Sequence, residues 1–142
     1  MELRPISFQS NMTHLSFSQY YKSFMDSECK SVINRAASSR REHFETILGF
    51  IESLENDFTG PPYWLCTSHY DIIFYSLDYK DYSDTPEDGS AVKLTVRGRQ
   101  DESDIWQLVL ADRTSLTIGV YEVREAAVAA AKFLIESTPS CL

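Results

Sequence analysis

Within residues 104–137, DIWQLVLADRTSLTIGVYEVREAAVAAAKFLIES, the hydrophobic period switches from two to about 3.6. Trp106, Leu108 and Leu110 alternate with Ile105, Val109 and Ala111. Leu116, Ile118 and Val120 alternate with Thr117, Gly119 and Tyr121. Alternation of this kind belongs to strands, and the short polar run 112–115 between them predicts a hairpin. After Tyr121 the period is helical. Val123, Ala127, Ala130 and Leu134 recur at spacings of four, three and four, flanked by Ala126 and Phe133. The alanines make this helix narrow, so it can lie close against the strands before it.

Upstream, residues 41–58 carry a second helical stripe: Phe44, Ile47, Leu48, Ile51, Leu54 and Phe58. Glu42, Glu45, Glu52 and Glu55 take the other face. Val32, Ile33, Ala36 and Ala37 extend a stripe towards the N-terminus, so residues 28–58 read as helical, as one bent helix or as two. Ser39 with Glu42 has capping-box spacing. Residues 1–25 show no single period; 8–17 suit a strand and 18–25 a helical turn. Thr59-Gly60-Pro61-Pro62 ends the helical region. Residues 63–68 and 70–77 are rich in aromatic and β-branched side chains, with His69-Tyr70-Asp71 as a turn or part of a longer strand. Residues 78–89, DYKDYSDTPEDG, make a solvated acidic loop; 91–96 alternate again, and 98–103 read as a polar loop. Strands grouped between helical regions predict one α+β domain: helices in 28–58, a sheet over 63–121 and a helix over 122–137. The sheet is expected to be antiparallel, of four to five strands, with the C-terminal helix packed on one face.

Few patterns in the chain carry chemistry. Cys66 and His69 have a spacing that zinc accepts, but no second ligand pair accompanies them. Asp78, Asp81, Asp84, Glu87 and Asp88 do not have the spacing of a calcium loop. No metal and no cofactor are therefore expected. There is no G-x-S-x-G and no glycine-rich phosphate loop. His69 beside Asp71 is the best pair for acid–base work, and no catalytic residue is assigned. The three cysteines, an odd number far apart in sequence, suit a reducing compartment, and no leader or membrane span is read. The expected location is the cytoplasm.

The net charge of −8 is unevenly spread, and −6 of it lies between residues 71 and 112, which hold ten acidic and four basic residues. Such a field disfavours nucleic acid and favours a basic protein partner. Tyrosines accompany the acids, and tyrosine is favoured at binding hot spots. The predicted partner-binding residues are Asp71, Asp78, Tyr79, Asp81, Tyr82, Asp84, Glu87 and Asp88. In size, acidity and α+β make-up the chain resembles bacterial immunity proteins, with no motif carrying the likeness. The expected function is non-enzymatic inhibition of a basic partner, such as a toxin nuclease encoded by an adjacent gene. A dimeric acidic secretion chaperone is the alternative from another class, and a small enzyme is a third.

Overall fold

A computed structural model describes residues 9–10, 16–30, 40–57, 64–75, 93–112 and 114–137. The elements in chain order are β1 (Gln9–Ser10), α1 (Phe17–Lys30), α2 (Arg41–Asp57), β2 (Trp64–Ser68), β3 (Asp71–Tyr75), β4 (Lys93–Gln100), β5 (Trp106–Ala111), β6 (Thr117–Tyr121) and α3 (Val123–Ser137). The fold is α+β. The strands form one sheet in the order β1 to β6. β2 to β6 make an antiparallel meander, and β1 adds to β2 in parallel.

Local chemistry explains the helix starts. Ser16 precedes α1 and makes a reciprocal cap with Gln19: the Gln19 N–H donates to Ser16 Oγ, and the Ser16 N–H donates to Gln19 Oε1. Glu55 of α2 adds a second cap. Its carboxylate accepts from the Ser18 N–H at 2.8 Å and the Ser18 hydroxyl at 2.9 Å, fixing α1 on α2. Of the strand expected over 8–17, Gln9–Ser10 are strand, residues 8 and 11–15 lie outside the described residues, and the C-terminal end is corrected because α1 begins at Phe17. The helical stretch expected over 28–58 covers the end of α1 and all of α2, while residues 31–39, including Ser39, lie outside the described residues.

The core is a single cluster on one face of the sheet. Leu65, Ile72, Phe74, Leu94, Val96, Leu108 and Leu110 supply the strand side. α1 contributes Phe17 and Tyr21; α2 contributes Phe44, Ile47, Phe50, Ile51 and Leu54; α3 contributes Ala126, Ala127, Ala130 and Leu134. Each fully buried leucine, isoleucine or phenylalanine stabilises the fold by roughly 1.5–3 kcal/mol before ordering costs. Among the described residues no helix is long and apolar enough to cross a membrane.

The sheet changes one reading and decides the faces of β6. Gly98, Arg99 and Gln100, expected in a polar loop, belong to β4, where they pair with Leu108, Gln107 and Trp106. In β6 the row Leu116, Ile118, Val120 does not meet the helix; all three are exposed, while Gly119 and Tyr121 lie on the α3 side. Val120 pairs with Val109, whose neighbours Leu108 and Leu110 are the buried ones, so the apolar row of β6 points away from the core.

The β4–β5 and β5–β6 connections are the same turn built twice. In the first, Asp101 Oδ1 accepts from the Ser103 N–H, the Ser103 hydroxyl and the Ile105 N–H. In the second, Asp112 Oδ1 accepts from the Thr114 N–H, the Thr114 hydroxyl and the Leu116 N–H. The fourth residue of each, Asp104 and Ser115, has φ near +60°. An aspartate that bonds its own backbone, followed by a left-handed residue, closes a tight hairpin without glycine.

Candidate functional site

The β2–β3 turn brings together more titratable and aromatic groups than any other described region. Ser68 pairs with Asp71, leaving His69 and Tyr70 as a two-residue loop. His69 has φ 57°, the sign required at the first position of a type II′ hairpin turn. Its side chain is exposed, while Tyr70 is half-buried and lies under the Arg40 guanidinium, 5.2 Å from the ring centre.

His43 of α2 reaches this turn from the core side. It is 3 % exposed, the only buried polar side chain among the described residues. Its Nε2 lies 3.2 Å from the Tyr70 carbonyl oxygen, which can only accept, so Nε2 carries the proton. Nδ1 therefore presents a lone pair and has no hydrogen-bond partner among the described residues. That nitrogen faces Gly98, where a Cβ would stand 2.5 Å from it. The Trp106 ring packs edge to face against the imidazole, with centroids 5.1 Å apart. Glycine in β4 thus makes the hollow that the imidazole fills.

Around this hollow the rings of Phe24, Tyr21, Phe44 and Tyr70 continue edge to face or tilted. The Tyr21 hydroxyl and Trp106 Nε1 are also buried without partners among the described residues. Burial first, and then the negative Asp71, pushes the Tyr21 phenol above its ordinary range. Burial lowers the His43 imidazole below its usual value. The Tyr70 carbonyl and Asp71 oppose that shift, and Arg40 adds to it.

Asp71, the first residue of β3, is half-buried one register step beyond the Ile72–Val96 pair, opposite Arg97. Its Oδ2 is 3.9 Å from Arg97 Nε. Burial pushes its carboxyl up, and Arg97, His43, His69 and Arg40 pull it back. It is therefore part of a mixed-charge patch rather than an isolated acid. His69 stands two residues before Asp71 and is one of the groups that pull its carboxyl back. The buried His43 tethers α2 to the turn through the Tyr70 carbonyl.

Of the predicted partner-binding residues, the structure describes Asp71 alone; Asp78, Tyr79, Asp81, Tyr82, Asp84, Glu87 and Asp88 lie outside the described residues. Cys66 takes part in β2 and His69 in the turn that follows it. No group of three or more metal-ligating side chains occurs among the described residues. Charges in the 71–112 stretch are segregated. Lys93, Arg97 and Arg99 alternate with buried Leu94 and Val96, so they line the sheet face away from the helices. The carboxylates of Asp101, Glu102 and Asp104 gather at the β4–β5 turn.

Sequence reasoning missed His43, although the signal was present. His43, Ile47, Phe50 and Leu54 recur at four, three and four, and all are buried. Gly98 within an otherwise substituted strand was a second sign of close approach. No protein-family model, curated protein or solved structure matches the chain.

Proposed function

We propose that the chain is a non-enzymatic protein-binding module of the cytoplasm, an acidic inhibitor or immunity protein that neutralises a basic partner such as a bacterial toxin nuclease. The observation that carries this reading is the charge: −8 in all, −6 of it between residues 71 and 112. Carboxylates spaced along a tyrosine-bearing stretch can occupy a groove that otherwise holds phosphates. The basic row Lys93, Arg97 and Arg99 restricts the geometry, because a basic partner is repelled from that sheet face. The proposed contact residues are Asp71, Asp78, Tyr79, Asp81, Tyr82, Asp84, Glu87 and Asp88.

The test is a kinetic binding measurement against the product of the adjacent gene, at low and at moderate salt. Reversing Asp78, Asp81 and Asp84 together lowers the association rate, and the effect shrinks as salt screens exposed charge over about 8–10 Å. Tyr79→Ala or Tyr82→Ala acts mainly on dissociation. A triple reversal that binds like the parent at both salts rejects this surface. Absence of any binding rejects the inhibitor reading.

A further inference from the structure

β6 is the last strand of the sheet and pairs only with β5 among the described residues. Among the described residues its outer N–H and C=O groups form an open edge. Soluble proteins guard such edges with charge, proline or a covering segment. Thr117-Ile118-Gly119-Val120-Tyr121 contains neither charge nor proline. Its one irregularity is at the Thr117 end, leaving the Gly119–Tyr121 end regular. Three of the six large apolar side chains exposed among the described residues lie here: Leu116 at 67 %, Ile118 at 37 % and Val120 at 43 %. An apolar, uncharged edge of this kind calls for a strand to pair with it.

We propose that the partner is a second copy of this chain, with β6 paired antiparallel to β6 of the other copy about a two-fold axis at Gly119. In that register Ile118 stands opposite Val120 of the other copy, and Thr117 opposite its Tyr121, so Ile118 and Val120 each gain an apolar neighbour.

The terminal helix independently fits the same axis. From Gly119 to Tyr121 the strand advances about 7 Å. α3 starts at Val123 and returns over β5 and β6. At 1.5 Å per residue, about five residues bring it back level with Gly119, at Val128–Ala129. α3 touches both β5 and β6, and the proposed arrangement sets its axis above the gap between them. With strands about 4.8 Å apart and the two-fold half a spacing beyond β6, the two copies of α3 lie about 10 Å apart. Packed helices prefer about 8–10 Å.

The facing residues then have complementary charge. Ala127 and Ala131 line the groove towards α2, so the opposite flank of α3 holds half-buried Ala129 and Phe133, with exposed Glu125 and Lys132 above them. An antiparallel pair centred at 128–129 sets Glu125 against Lys132 of the other copy, twice over by symmetry. At the outer ends Glu122 approaches Glu136 of the other copy, an unfavourable contact in solvent.

Sedimentation velocity of the full chain over about 1–100 µM tests the proposal. A dimer is expected, and Ile118→Lys converts it to a monomer with an unchanged circular dichroism spectrum. Glu125→Lys and Lys132→Glu each weaken the dimer about tenfold, the double exchange restores it, and Glu136→Lys tightens it. These helix positions are exposed, so the variants read association without disturbing the fold. A chain that stays monomeric at 100 µM overturns the proposal. So does a dimer indifferent to Ile118→Lys, or single exchanges that the double exchange does not rescue.

Discussion

His43 is held by what surrounds it rather than by any partner for its second nitrogen. Gly98→Ala places a methyl 2.5 Å from Nδ1 and should destabilise the fold by about 1–3 kcal/mol, because the buried imidazole is packed against Phe44, Tyr70 and Trp106. His43→Ala opens the hollow. In that background Gly98→Ala should cost much less, and a double-mutant cycle by urea unfolding should show coupling of at least about 1 kcal/mol. The same ring sets a pH response. Its folded pKa lies below the unfolded value, so the folded state binds fewer protons. Its contribution is therefore fully present above about pH 6.5 and is lost as the pH falls through the lowered folded value. The melting temperature should drop between about pH 7 and pH 5, and His43→Gln should flatten that slope. Asp71 has the opposite sign, since burial raises its carboxyl and protonation relieves the cost, but it acts in a more acidic window.

At the scale of elements, α3 depends on its alanine face. Leu134 is fully buried, and Leu134→Asp should cost about 3–5 kcal/mol by burying an unpaired charge or expelling the helix. Exposed Glu136→Ala should cost about 0.5 kcal/mol or less, and chemical denaturation of the two variants compares them directly. This helix was legible because its period is strong and one face is buried. The hairpin before it was legible for a similar reason, since Asp112 and Thr114 announce a turn. The face of β6 was not legible: alternation shows that two faces differ, but not which one the helix covers. The Asp101 turn escaped notice because Gly98 and its charged neighbours resemble loop sequence, yet they form strand rungs with polar side chains pointing outwards. The start of α1 was obscured by aromatic residues with no single period, and its boundary depends on a tertiary cap from Glu55. In the site, the spacing that buries His43 could be read, but the glycine that receives it lies 55 residues away in sequence.

For the molecule as a whole, one core joins every helix to strands β2 to β5. Unfolding should therefore be a single transition. Far-ultraviolet dichroism and the near-ultraviolet aromatic signal, to which Trp106 in the His43 hollow contributes, should give coincident melting curves. Separate curves would show that the aromatic end of the core opens on its own. Charge is also organised at this scale: basic side chains line one sheet face, and carboxylates gather at the β4–β5 turn. A partner approaching from solution meets a directional field rather than a uniformly negative sphere.

The meander has a consequence for synthesis. Each strand from β3 to β6 pairs with the strand made immediately before it. As the nascent chain emerges, every new strand finds its partner already exposed, and the sheet can be laid down in the order of translation. α3 follows the last strand, so the helix-facing sides of Leu108 and Leu110 lack their final cover until Ala126 to Leu134 have left the ribosome. A pause that leaves α3 inside the exit tunnel after β6 has emerged would hold a nearly complete sheet with part of its apolar face still wet. Slow codons or a trapped complex at that point would expose the chain to aggregation more than a pause anywhere else in the sheet.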